Sequence, residues 1–145
     1  MQARKWNLDN DYKYLVEWWK QHEFGVVPKE CLPPDGIVVS LDRPICAAGL
    51  YLCNGTKFGF MEWVVVDKKI GLKTAHNALN LCIKETMQMA KNNDVKLLYT
   101  VTAEKALHKR YTRYHGMEIG EKTATTFVKN LSNKPYKDLE FVKDA

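Results

Sequence analysis

The chain has 145 residues, of which 46% are hydrophobic and 27% are charged, and its formal net charge is +5. This length and balance are typical of one globular domain and exclude fibrous, low-complexity and disordered chains. The N-terminal stretch has no signal-peptide pattern, and no segment approaches the roughly 20 apolar residues of a membrane span. We therefore expect a soluble, cytoplasmic protein.

The first half of the chain predicts a short strand, a helix and a three-stranded meander. The strand is "RKWN" at 4–7, and the helix covers 9–23, where apolar residues recur at i, i+3, i+4 and i+7. Prolines after this helix prevent it from continuing. The meander consists of strands at 36–42, 45–53 and 57–66, and Asn54-Gly55 is a strong hairpin signal between the last two strands.

The second half predicts two helices, one buried strand and two closing strands. The helices cover 72–92 and 104–114, the buried strand is "VKLLYTV" at 95–101, and the closing strands cover 116–122 and 123–131. We expect residues 1–131 to form a single domain and the polar residues 132–145 to form a tail.

The cysteines favour reduced thiols over a metal site. They have no CxxC spacing and no histidine at ligand spacing, so we expect no metal. The residues are Cys31, Cys46, Cys53 and Cys82.

A basic turn joins the third meander strand to the long helix. Residues 68–74, "KKIGLKT", bring a glycine and several lysines to a predicted helix N-terminus, which favours an anion site. A P-loop would need glycines at positions 67 and 72, which are Asp67 and Leu72, so we exclude a nucleoside triphosphatase.

Glu62 is the only acid inside the apolar strand "FGFMEWVVV". Burial would raise the pKa of such a carboxyl, which suits a base near neutral pH. Strand alternation predicts that Glu62, Val64 and Val66 share one face, and if that face is solvated Glu62 is an ordinary surface residue.

The order β-α-β-β-β-α-β-α-β-β resembles that of the general-control-related N-acetyltransferases (GNAT). The stretches "EWWKQHEFGVVPKECLPPDGIVV", "GFMEWVVVD" and "RYTRYHGMEIG" look like small GNAT-like proteins encoded by tailed bacteriophages. The resemblance implies an α+β, three-layer fold. Its mixed, mostly antiparallel sheet is flanked by helices, and strands 4 and 5 splay apart.

The resemblance also implies acetyl-CoA as the cosubstrate. The family's turn reads Arg/Gln-x-x-Gly-x-Gly/Ala, which here becomes Lys68 to Lys73, with Gly71 kept and Lys73 in place of the last small residue. Backbone groups of Val64, Val65 and Val66 would pair with the pantetheine amides. The residues implied at the pyrophosphate are Lys69, Ile70, Gly71, Leu72, Lys73 and Thr74.

For catalysis the resemblance implies Glu62 as the general base and Tyr111 as the acid, with Tyr114 as the alternative. Tyr111 lies five residues before Gly116, one more than in the family pattern. Both tyrosines are also compatible with core packing.

Three functions follow, and the sequence leaves them open. The first is N-acetyl transfer from acetyl-CoA to an amine by direct attack on the thioester. The second is a catalytically degenerate GNAT fold that acts as a binding or inhibitor protein. The third is a nucleic-acid-associated protein, although the chain lacks interleaved aromatic and basic strand residues. The expected partner is an amine-bearing small molecule or protein, and a homodimer is compatible with the sequence.

Overall fold

The computed structural model describes residues 1–133, which form a five-stranded sheet with helices on both faces. The strand order is β1-β2-β3-β4-β5, in which only the β4–β5 pair is parallel. A 3₁₀ turn lies at Lys29–Cys31. The remaining elements are β1 Gln2–Lys5, α1 Leu8–Gln21, β2 Asp35–Ser40, β3 Pro44–Leu52, β4 Phe58–Val66, α2 Leu72–Asn92, β5 Leu97–Tyr99 and α3 Lys105–His115.

Two hydrophobic clusters fill the spaces between the layers. The cluster on the α1 side includes Leu15, Trp18 and Trp19 of the helix, together with strand residues such as Val38 and Ala47. The cluster on the α2 side is built from these buried residues: Ile37, Val39, Ile45, Cys46, Ala48, Met61, Ala78, Cys82, Ile83 and Tyr111. Both faces of the sheet are therefore covered, which confirms the predicted three-layer α+β class.

Several predicted elements agree closely with the structure. Helix α2 covers residues 72–92 as predicted, and β2, β3 and β4 form the antiparallel meander. Gly55 at the predicted hairpin has φ +76°, a conformation that glycine adopts without strain. The first strand lies two residues earlier than predicted, because Trp6 leaves the strand and packs into the α1-side cluster.

A strand forms within 95–101 as predicted, but it is shorter and less buried than expected. Strand β5 covers only Leu97–Tyr99, and its Leu97 and Tyr99 side chains are 61% and 46% exposed. The only strand that pairs with β5 in the described residues is β4. Leu98 packs against the α2-side cluster, whereas Leu97 and Tyr99 stay exposed, so the apolar composition of this segment leads to burial on one face only.

The two predicted closing strands, at 116–122 and 123–131, are absent. Gly116 ends α3 in the left-handed conformation with φ +65°, and no regular element follows it up to residue 133. Phe127 and Leu131 are 90% and 84% exposed. The strand propensity of "TATTFVKNL" depends on packing against a neighbouring strand, and this segment has none. Most of the predicted tail, 132–145, lies outside the described residues.

We predict that Gly36→Ala destabilises the fold by about 1–3 kcal/mol. A Cβ atom at Gly36 would overlap the Trp6 indole and lie 2.7 Å from the Ala48 carbonyl oxygen, within the β2–β3 pair. Gly120→Ala is the matched control, because its added Cβ would meet nothing within 4 Å. Urea unfolding of both variants tests the prediction, and equal midpoints for the two would contradict it.

Candidate active site

Strands β4 and β5 diverge halfway along β4. They pair only from Phe58 to Phe60 on β4. After β5 the chain turns away, and the Val101 N–H donates to Glu62 Oε1 at 3.1 Å instead of to the β4 backbone. The second half of β4 therefore has an edge without a strand beside it, as expected for the splay.

A bulge at Trp63 changes the face of every later residue in β4. Ala47 pairs with Val65 and Gly49 pairs with Glu62, so β4 carries one extra residue, and Trp63 has φ +62°. Such a bulge breaks the two-residue alternation. Its aromatic side chain is held by a hydrogen bond from Trp63 Nε1 to Tyr51 Oη at 2.8 Å.

The expectation that Glu62, Val64 and Val66 share one face was therefore wrong. Val64 and Val66 pack on the α2-side cluster, as Met61 does, whereas Val65 belongs to the α1-side cluster. Since Met61 and Glu62 are consecutive strand residues before the bulge, Glu62 is directed away from the α2 side.

The Glu62 carboxyl is half-buried in the opening between the strands. Burial raises its pKa to about 7, and the hydrogen bond from the Val101 N–H opposes this shift. No lysine or arginine within residues 1–133 forms an ion pair with it. Both protonation states are thus populated near neutral pH, which allows the carboxyl to accept and release a proton.

Tyr111 is buried in the α2-side cluster and is 5% exposed. Burial holds its pKa well above the usual value, and the charge of Glu62 adds to the increase, whereas a hydrogen bond with the Thr100 side chain opposes it. The phenol therefore stays protonated at neutral pH and can act as a donor. Tyr114, the alternative acid, is 52% exposed and packs edge-on against His76.

Asp67 anchors the turn between β4 and α2. Its buried carboxylate accepts hydrogen bonds from the Lys69 N–H at 2.9 Å and from Arg43 Nη2 at 2.7 Å. Burial alone would raise the pKa of Asp67, but the hydrogen bonds from the Lys69 N–H and the Arg43 guanidinium leave it below its usual value. The carboxylate thus stays charged and fixes the path of the chain into the helix.

The N-terminus of α2 is open to an anion. Gly71 is the N-cap residue, no side chain caps the helix, and its first turn contains no acid. A Cβ atom at Gly71 would meet nothing within 4 Å. Neither packing nor its φ of −64° requires a glycine there, and the first N–H groups of the helix have no side-chain acceptor.

The carbonyl of Val66 is already paired. The Asp67 N–H donates to the Ile45 carbonyl, so the polar groups of the preceding residue, Val66, point away from β3. His22 Nε2 lies 2.7 Å from the Val66 carbonyl oxygen and donates to it. This contact joins the C-terminal end of α1 to the free edge of β4.

Sequence reasoning missed the contributions of His22, Arg43, Tyr51 and Asp67. Asp67 carried a usable signal, because an acid between a strand and a helix is well placed to accept turn N–H groups. No local signal identifies His22, whose partner Val66 lies 44 residues away.

Residues 1–133 contain no group of three or more His, Cys, Asp or Glu side chains arranged to hold a metal ion. In the same part of the chain, no helix has the length and apolarity needed to cross a membrane.

The fold is shared with solved structures, two of which are named acetyltransferases. An acetyltransferase of Trypanosoma brucei has TM-score 0.63 at 15% identity, covering 88% of this chain and 99% of that one. Glucosamine-6-phosphate N-acetyltransferase of Arabidopsis thaliana has TM-score 0.61 at 12% identity, covering 88% and 98%. A Mycobacterium tuberculosis protein solved in complex with CoA has TM-score 0.64 at 16% identity, covering 86% and 76%.

The chain therefore has a GNAT-like fold. No protein-family model matches it, and neither does any curated protein.

We predict that Glu62→Gln alters how stability depends on pH. A carboxyl whose pKa is higher in the folded than in the unfolded chain favours folding at low pH, and this contribution is lost as pH rises from 4.5 through 7. Relative to the wild type, the variant should gain roughly 2–3 kcal/mol between pH 4.5 and pH 8. Urea unfolding at both pH values measures this difference. Glu118→Gln, at an exposed position, is the control. The same pH dependence in Glu62→Gln and the wild type would contradict a raised pKa.

Proposed function

We propose that this protein is an N-acetyltransferase that transfers an acetyl group from acetyl-CoA to an amine by direct attack on the thioester. The observation that carries the proposal is the opening beside β4. It combines a strand edge without a neighbour, a half-buried carboxyl with a pKa near 7, and an uncapped helix N-terminus. These are the parts needed to bind an extended phosphorylated thioester and to deprotonate an attacking amine.

The residues present fit acetyl-CoA. The N–H groups at the start of α2, from Leu72 to Thr74, would hold the pyrophosphate, helped by Lys69 and Lys73. Ile70 and Gly71 shape this turn, and the open space at Gly71 allows a phosphate to approach the backbone. The backbone of Val64, Val65 and Val66 would pair with pantetheine as an added strand. Because His22 occupies the Val66 carbonyl, that pairing requires the His22 contact to move or to be shared.

Acetyl-CoA would supply the acetyl group in an activated form. Glu62 Oε1 or Oε2 would accept the proton of the ammonium nucleophile, directly or through a water molecule. The Tyr111 hydroxyl would serve as the acid by donating a hydrogen bond to the departing sulfur as negative charge develops there, whereas its raised pKa opposes complete transfer of the proton. The divergence of β4 and β5 would hold the two groups on either side of the reacting carbonyl.

The acceptor is proposed only as an amine. Solved structures with this fold include a glucosamine-6-phosphate N-acetyltransferase and an aminoglycoside acetyltransferase in complex with sisomicin, so the fold serves several amine classes. A bacteriophage origin, action in the host cytoplasm and a homodimeric state are further parts of the proposal, and the first of these rests on the sequence stretches quoted above.

A second candidate is a CoA-binding protein without catalysis. Two observations favour it. Tyr111 is only 5% exposed, which restricts its access to a substrate, and the Val66 carbonyl is already hydrogen-bonded within the chain. Binding of CoA without transfer to any amine would support this candidate.

We predict that acetyl-CoA raises the melting temperature and that Lys73→Glu weakens binding more than Lys68→Glu does. A ligand at 100 times its Kd stabilises the folded state by about 2.7 kcal/mol. Lys73 lies in the first turn of α2, whereas Lys68 lies three residues before the N-cap Gly71, so we expect roughly tenfold weaker binding for Lys73→Glu and at most about threefold for Lys68→Glu.

Lys73→Glu is not expected to disturb folding. A glutamate in the first turn of a helix interacts favourably with the helix dipole, so Lys73→Glu should not unfold α2. Equal effects of the two variants would indicate diffuse surface charge rather than a defined phosphate site. No thermal shift at millimolar acetyl-CoA or CoA would remove the proposed function.

A further inference from the structure

A second group of polar side chains lies between α2 and α3 and has no role in the proposed transfer chemistry. We call it the α2–α3 polar cluster, and it consists of His76, Asn80, Arg110 and His115. Arg110 Nη1 is 2.8 Å from Asn80 Oδ1, 3.1 Å from His76 Nδ1 and 3.3 Å from the His76 carbonyl oxygen. Asn80 Nδ2 is 3.2 Å from His76 Nε2, and His115 Nε2 is 3.2 Å from Asn80 Oδ1.

This cluster has more hydrogen-bond donors than acceptors. A neutral imidazole has one acceptor nitrogen, yet both ring nitrogens of His76 face donors, one from Arg110 and one from Asn80. Only one of these two contacts can be a hydrogen bond. Reversing the Asn80 amide does not help, because its oxygen already accepts from Arg110 and His115. In addition, Arg110 Nε is buried without a partner among the described residues. The cluster therefore lacks an acceptor.

The charges around the cluster favour a negatively charged acceptor. Within residues 1–133, Arg110 forms no ion pair with a carboxylate. Helix α3 contains no acid, and its basic residues are Lys105, His108, Lys109, Arg110, Arg113 and His115. A half-buried guanidinium with excess donors and no counter-charge is suited to a phosphate group, which accepts several charge-assisted hydrogen bonds at once.

The cluster lies next to the proposed pyrophosphate site. His76 follows Gly71 by five residues, which is about 7 Å along a helix. Lys73 and His76 are three residues apart and therefore neighbours on the helix surface. The 5′-diphosphate and the 3′-phosphate of CoA are both esters of one ribose ring, so they are a similar short distance apart.

We propose that the α2–α3 polar cluster binds the 3′-phosphate of CoA, with Arg110 as the principal ligand and His76 and Asn80 as further donors. This inference rests on the proposed function, because it assigns a second anchor to the same cosubstrate. A 3′-phosphate site of this kind would make the protein selective for CoA over dephospho-CoA, which lacks only this phosphate.

The test compares CoA with dephospho-CoA by isothermal titration calorimetry on the full chain. The wild type should bind dephospho-CoA at least about tenfold more weakly, because charge-assisted hydrogen bonds are lost. Arg110→Gln should weaken the binding of CoA to the same degree and leave the affinity for dephospho-CoA nearly unchanged. Lys109→Gln is the matched control, since it removes one charge from an exposed neighbouring position on the same helix and should keep the preference.

Any result other than these overturns the inference. Equal affinities of the wild type for CoA and dephospho-CoA would do so while leaving the proposed function intact. Retained preference in Arg110→Gln would place the 3′-phosphate elsewhere. If inorganic phosphate raises the melting temperature through Arg110 but does not compete with CoA, the cluster serves another phosphate. Binding of neither nucleotide would remove the proposed function as well. The wild-type comparison needs no variant, and an unchanged urea midpoint for Arg110→Gln verifies its fold.

Discussion

The bulge at Trp63 is the local constraint on which the candidate site depends. One extra residue in β4, with φ +62°, costs about 1–3 kcal/mol for a side chain of this size, and the hydrogen bond from Trp63 to Tyr51 offsets part of the cost. After the bulge, Val64 and Val66 pack towards α2 whereas Glu62 is directed away from that side. Strand β4 can therefore contribute to the core and present a carboxyl to the opening beside β5 within five consecutive residues.

The surroundings of the bulge hold the opening in place. At the end of β4, the charged Asp67 carboxylate joins Arg43 to the Lys69 amide and so directs the chain into α2. On the other side, the Val101 amide bonds to Glu62 rather than to the β4 backbone, so the divergence of the strands and the position of the carboxyl depend on each other. Loss of the Asp67 carboxylate would leave the Lys69 N–H and the Arg43 guanidinium without their acceptor, and the start of α2 would lose its fixed position.

The elements that were predictable from the sequence are those determined by local signals. The Asn54-Gly55 hairpin and helix α2 depend on neighbouring residues and were predicted correctly, as was the α+β class. The face of Val64 and Val66 could not be predicted, because nothing in "MEWVVV" signals a positive φ at Trp63. The prediction of closing strands was wrong for a related reason, because "TATTFVKNL" has strand propensity but no neighbouring strand to pair with. Glu62 was identifiable as a lone acid in an apolar strand, whereas the role of His22 depends on a contact distant in sequence.

The central claim is that Glu62 removes a proton from an attacking amine beside β4. The most direct measurement is the pH dependence of kcat for the wild type and Glu62→Gln with acetyl-CoA and an amine that the wild type acetylates. The variant keeps the shape of the side chain, so acetyl-CoA affinity should stay near the wild-type value while kcat falls by about 10²–10⁴-fold at pH 7. Its activity should recover at high pH, where the amine loses its proton in solution. Full activity of Glu62→Gln at pH 7 would contradict the account.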